Sequence, residues 1–280
     1  MRKLKIALKL TKLSHSFKMF VGEINMIDSH AHLQDEKLEN LNKIVEDAKN
    51  AGVNKIICAS SDIETSKMAV DIANQFDGVY ATVGVHPHEA KYFCEESMEK
   101  LEGLAKNKKV VAIGEIGLDY HYMFSSKEEQ ICAFEKQIEL ANKLNLPIVV
   151  HSREASADTI NILKQNLQKL KNGVCIHCFN MSLEILKEIN KLGFYISVGG
   201  IVTFKNANNV LTIARECHLD KLMLETDCPY LAPEPHRYKL NKPEYVVYSA
   251  QKIADLRGIT LEEVDRITTQ NTLNFFKIKE

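Results

Sequence analysis

The chain has 280 residues, 45% hydrophobic and 26% charged, with a formal net charge of −1, a globular composition with enough apolar residues for one sizeable core. No apolar run is long enough to span a membrane, and seven cysteines, an odd number scattered over expected core strands and loops, exclude a small secreted disulfide framework and fit a reducing cytoplasm. Residues 1–25 hold Arg2, Lys3, Lys5, Lys9, Lys12 and Lys18 against Glu23, so the rest of the chain carries −6 and offers no broad basic face for duplex DNA.

The basic segment 1–25 comes first. Lys5, Lys9 and Lys12 interrupt the apolar stretch that a secretory signal requires, so it reads as an over-extended start or a targeting segment ahead of a single domain over 26–280. Short apolar runs then recur at Met26–Ile27, Lys55–Ala59, Val79–Val85, Val110–Ile113, Pro147–Val150, Val174–Ile176, Phe194–Val198 and Lys221–Leu224, each followed by helical spacing. The clearest helices are 37–50, with Leu38, Leu41, Ile44, Val45 and Ala48 on one stripe, and 127–144, with Ile131, Phe134, Ile138 and Leu144 and a capping box from Ser126 and Glu129. Two closing helices are predicted at 243–257 and 261–276, parted by Gly258. Eight strand–helix units predict an α/β fold, a single-domain (β/α)8 TIM barrel. An open doubly wound sheet has the same count, but no G-x-G-x-x-G follows the first strand.

The polar residues favour the barrel. Of ten histidines, His30, His32, His86, His88, His121, His151, His177 and His236 fall at or just past a strand's C-terminal end, the face on which barrel enzymes build their sites. His30-Ala31-His32 puts two imidazoles on one side of the first strand by its period of two. Glu115 and Asp119 end the fourth strand, His151 and Arg153 the fifth, His177 the sixth, and Glu225 and Asp227 the eighth. Each alone could be an ordinary polar residue at a strand end. Four histidines and two carboxylates delivered by five strands to one face point to metal binding, with ligand types that suit zinc, manganese or iron, and magnesium less well. Cys175 and Cys178 form a C-x-x-C, but His177 lies inside it and no thioredoxin-like pattern surrounds it.

MIDSHAHL (Met26–Leu33), GVHPHEA (Gly84–Ala90), GEIGLDY (Gly114–Tyr120), PIVVHSR (Pro147–Arg153), IHCF (Ile176–Phe179), GIVTFKNA (Gly200–Ala207) and ETDCPYLAPEPHR (Glu225–Arg237) together resemble the TatD family of metal-dependent deoxyribonucleases, within the wider amidohydrolase-like barrels. The resemblance implies two divalent metal ions: His30, His32 and Asp227 on one, His151 and His177 on the other, and Glu115 bridging them. It implies phosphodiester hydrolysis of DNA by a two-metal-activated hydroxide, with Glu115 and Asp227 catalytic and Asp227 accepting the water's proton. Two departures stand out. Asn180-Met181-Ser182 and Tyr238 stand where the family usually has glycine, and both are expected to reshape the substrate groove.

For a phosphate backbone the rim offers His86, Arg153, Lys205, His236, Arg237 and Lys239, with Lys242 beyond them; solvated loop charges are the plain alternative. Tyr120, Tyr122, Phe204 and Tyr230 could stack unpaired bases or pack the rim. Glu225 and Asp119 are read as carboxylates that orient a ligand from behind. With the acidic body, these features predict a cytoplasmic, monomeric exonuclease acting on single-stranded DNA ends without membrane association. The alternative is a metal-dependent amidohydrolase or lactonase acting on a small ester or amide.

Overall fold

The computed structural model describes residues 24–279, so the basic segment lies outside the described residues apart from Ile24 and Asn25. Eight strands follow one another around a single parallel sheet in sequence order: β1 (Met26–Ala31), β2 (Val53–Cys58), β3 (Val79–Val83), β4 (Val110–Asp119), β5 (Ile148–Arg153), β6 (Val174–Ile176), β7 (Tyr195–Val198) and β8 (Leu222–Leu224). The ring closes where Ala31 bridges Cys228 and where Asp227 N–H donates to the His30 carbonyl and His32 N–H to the Cys228 carbonyl. Helices fill the crossovers: α1 (Leu41–Asn50), α2 (Ile63–Gln75), α3 (Glu95–Leu104), α4 (Lys127–Leu144), α5 (Ser156–Gln165), α6 (Leu183–Leu192) and α7 (Asn208–Glu216). Two more, α8 (Val246–Arg257) and α9 (Leu261–Phe276), follow β8. This is the predicted barrel, and the doubly wound alternative is set aside.

Local chemistry explains most boundaries. Ser126 and Glu129 form the reciprocal cap that starts α4, and Gly258, at φ 67°, ends α8 in the left-handed conformation open to glycine. The first helix starts at Leu41, four residues later than its apolar stripe suggests. Asn40 takes a left-handed conformation and caps it through Lys43 N–H, while Asp35 and Leu38 N–H are spent on turn carbonyls. Likewise, 243–245 is a 3₁₀ turn ahead of α8. The first strand runs on to Ala31 although Asp28, Ser29 and His30 are polar, because all three are buried.

Side chains alternate along each strand. One set, with Phe134, Ile138 and Leu140 of α4, makes the main core between sheet and helices; the other, with Ile27, Ile57, Val111, Val149, Cys175 and Met223, forms a second cluster with Leu273, Phe275 and Phe276 of α9. That packing leaves the opposite, C-terminal end of the barrel for polar side chains. Gly117 marks how closely the site strands approach: it sits at φ 137°, and a Cβ there would lie 2.1 Å from the His151 carbonyl oxygen.

Ile24 is buried, Asn25 N–H donates to Asp265 at 2.7 Å, and Thr269 donates to the Asn25 carbonyl. The domain is therefore proposed to begin two residues before Met26. Deleting residues 1–23 is expected to leave the melting temperature within a few degrees of the full chain, whereas deleting 1–25 also removes the Asn25 contacts. A truncation at 23 that fails to fold would make the basic segment part of the structure.

Candidate metal centre

The parallel strands end at one mouth, and six of the eight strand-end histidines meet there. Glu115, 3% exposed, stands at their centre. Its Oε2 lies 3.3 Å from His30 Nε2 and 3.9 Å from His32 Nε2, and its Oε1 lies 2.7 Å from His177 Nε2, 2.8 Å from His151 Nδ1 and 3.4 Å from His86 Nε2. Asp227 Oδ1 faces His32 Nε2 at 3.3 Å and His30 Nε2 at 3.9 Å. His30 and His177 stack with ring centroids 4.1 Å apart. Three overlapping sets bring ligand atoms within 4.8 Å of one another: His30, His32 and Asp227; His30, Glu115 and His177; His86, Glu115 and His151.

The electrostatics are those of a place for cations. Burial raises the Glu115 carboxyl, but the imidazoles of His177, His86 and His151 outweigh it and hold the group well below its ordinary value. Burial pulls His177 down, and Glu115 more than reverses this, to about 10. His30 is pushed down to about 4 by burial and then by His177, and His86 to about 4 by burial. Neither ring nitrogen of buried His30 has a hydrogen-bond partner among the described residues, a costly state for polar atoms that ligation would relieve. Ring nitrogens and carboxylate oxygens converging in a buried pocket fit a divalent ion, which would replace the proton that His177 otherwise carries.

Behind these residues stands a layer of supports. Asp119 Oδ2 lies 3.1 Å from His151 Nε2 and 2.9 Å from His88 Nε2, while its Oδ1 accepts N–H bonds from His121 and Tyr122. Gln130 of α4 accepts from Asp119 N–H and donates to its carbonyl. Glu225, fully buried, accepts from the Ser197 hydroxyl and lies 3.9 Å from His177 Nδ1. Burial raises Glu225 to about 7. Asp28, raised by burial to about 8, is held by the N–H and hydroxyl of Thr226 and so ties β1 to the chain after β8.

The structure redistributes the remaining sequence-derived candidates. His86, expected to meet substrate, stands against Glu115 in the cluster. His88, just past the third strand, reaches Asp119, and its H-x-H spacing from His86 is the signal for it in the sequence. Gln130 is one of two glutamines, with Gln137, on the buried face of α4, and nothing in the apolar spacing singles it out. His121 pairs with Glu154 at the surface, and His236 stacks on Tyr245 with centroids 4.0 Å apart and reaches the Tyr248 hydroxyl, so neither joins the cluster. Arg153 lies over the Tyr122 ring at 4.7 Å. Lys205 and Arg237 line a separate groove, and Lys239 follows on the same loop. The metal cleft, about 640 Å³, is walled by Tyr122 and Phe124, whose rings stack at 5.4 Å, and by Tyr230. Tyr120 instead donates to Asp158.

An eight-stranded parallel barrel with imidazoles and carboxylates gathered at its C-terminal mouth is the frame of a metal-dependent hydrolase. A family model described as TatD related DNase matches residues 27–277, and the chain belongs to the TatD family. It is 42% identical over 254 residues to YabD of Bacillus subtilis, an uncharacterized metal-dependent hydrolase, covering 90% of this chain and 99% of that one. It is 34% identical to a protein of Erwinia tasmaniensis named 3'-5' ssDNA/RNA exonuclease TatD, covering 84% of this chain and 93% of that one. The crystal structure of YJJV, a TatD homolog from Escherichia coli, superposes with a TM-score of 0.86 at 28% identity, covering 91% of this chain and 99% of that one.

Proposed function

We propose that this protein is a deoxyribonuclease that shortens single-stranded DNA from an end, using two divalent metal ions, zinc, manganese or magnesium, placed on either side of Glu115. The observation that carries this reading is that the two carboxylate oxygens of Glu115 address two different imidazole groups, His30 with His32 and His151 with His177. In this reading His30, His32 and Asp227 would hold one ion and His151 and His177 the other, while His86 stands against Glu115. Bound ions would supply Lewis acidity, lowering the pKa of water and neutralising charge on a scissile phosphate. Asp227 takes the proton from the attacking water. Asp119 and Glu225 hold the rings of His151 and His177 in place. The name of the Erwinia relative supports a single-stranded substrate.

The tyrosine and phenylalanine walls of the cleft also favour unpaired bases, which present a free face for stacking. Among the described residues no helix is long and apolar enough to cross a membrane. All seven cysteines are free, which supports a reducing, cytoplasmic setting.

The test is metal analysis of the purified protein followed by digestion of end-labelled single-stranded DNA. About two ions per chain and a ladder growing from one end are expected. Phosphate capture is assigned to Arg153, Lys205, Arg237 and Lys239. Neutralising Arg237 and Lys239 together is expected to raise KM for single-stranded DNA several-fold and flatten its salt dependence, measured as the slope of log KM against log salt. An unaltered nuclease with a damaged esterase or lactonase activity would move the assignment to small-molecule hydrolysis.

A further inference from the structure

At the same end of the barrel as the cleft, the loops after β6, β7 and β8 enclose a second groove lined by Asn180, Phe204, Lys205, Asn206, Arg237 and Tyr238. Both departures from the family pattern reach it, through Asn180 and Tyr238. Arg237 sets its guanidinium over the Phe204 ring at 3.9 Å and over the Tyr238 ring at 4.7 Å. Tyr238 is 91% exposed and has φ 69°, a conformation unfavourable to an L-residue with a bulky side chain. An aromatic ring held in such a conformation, with most of its surface open to solvent, is not accounted for by core packing. The walls are braced as well: Asn209 donates to Asn180 and to the Met181 carbonyl, and Glu234 N–H donates to the Thr203 hydroxyl.

We infer that this groove holds the single strand a few nucleotides away from the scissile bond, with a base on the open face of Tyr238 and phosphates on Lys205 and Arg237. The inference rests on the nuclease reading above. The occupant is argued from charge: Lys205 and Arg237 outnumber Glu234 in the lining, on a body whose net charge is otherwise negative. A guanidinium packed on rings keeps its edge N–H groups for phosphate oxygens. A base on an adjoining aromatic face adds sequence-tolerant stacking. Together they suit a phosphodiester chain with unpaired bases. The groove opens on the same end of the barrel as the metal cleft, because all three loops leave the C-terminal ends of parallel strands. A long substrate would occupy both places and a short one only the cleft.

The test compares steady-state KM for end-labelled dT20 and dT3 with the full-length, metal-loaded protein. The native chain is expected to favour dT20 by about tenfold in KM, the scale of one stacked base. Tyr238→Gly should reduce that preference to less than about twofold, and Tyr238→Phe should retain it. Glycine adopts positive φ without strain, so the ring is removed without threatening the fold, as a melting temperature no lower than that of the native chain will confirm. A native length preference that Tyr238→Gly leaves intact overturns the inference while the nuclease stands. Competition by polyglutamate with that preference intact assigns the groove to an acidic protein and also overturns it. Cleavage of neither oligonucleotide removes the nuclease reading itself, and the inference with it.

Discussion

Glu115→Ala is expected to cut turnover at least about a hundredfold while the barrel stays folded, the scale expected when a metal-activated nucleophile is lost. Among the described residues Glu115 is the one carboxylate whose two oxygens face both imidazole groups, so its loss leaves His30 and His32 on one side and His151, His177 and His86 on the other with no shared anion. Its side chain belongs to the polar mouth, and neither apolar cluster includes it, so stability should change far less than activity. Turnover, metal content and thermal melting measured on the same preparation check this. Near-normal turnover by a folded Glu115→Ala protein would sink the assignment of two ions to one bridging carboxylate.

Asp119→Asn is expected to lower metal affinity and turnover by about 10- to 100-fold without changing the shape of the side chain. In the native protein one Asp119 oxygen faces the Nε2 atoms of His151 and His88, and the other accepts two backbone N–H groups. An asparagine must fail on one side. If its amide N–H₂ faces His151, that ring has to accept at Nε2 and carry its proton on Nδ1, the atom directed at Glu115; if it is flipped, the N–H₂ opposes the N–H groups of His121 and Tyr122. Metal titration distinguishes this positioning role from a structural one. A variant with native metal affinity, or one that simply melts early, would remove Asp119 from the machinery.

Much of the architecture was legible because its causes are local. The apolar spacing of 127–144 and 261–276 and the capping box at Ser126 define helices with the observed bounds. The helix expected over 37–50 starts only at Leu41, because a cap at Asn40 overrides a continuous apolar stripe. The members of the candidate centre were visible for a related reason. In a parallel barrel every strand points the same way, so His30, His32, Glu115, His151, His177 and Asp227, each at a strand end, must arrive at one mouth whatever the details of packing.

What the sequence determined by itself was therefore which residues could gather and on which face. Tertiary structure decided their company. His86 stands against Glu115 where β3 and β4 run close together, and a Cβ on Gly84 would lie 2.9 Å from the Gly114 carbonyl carbon. Thr226 holds Asp28 across 198 positions of chain. Lys205 and Arg237, expected at the rim of the site, line a separate groove, where the loops after β7 and β8 meet through the Glu234 N–H bond to Thr203. Strand periodicity and capping act within a few residues and are written in the local sequence. Register, ring closure and the path of long loops depend on contacts between segments far apart in the chain, which form only when the barrel does.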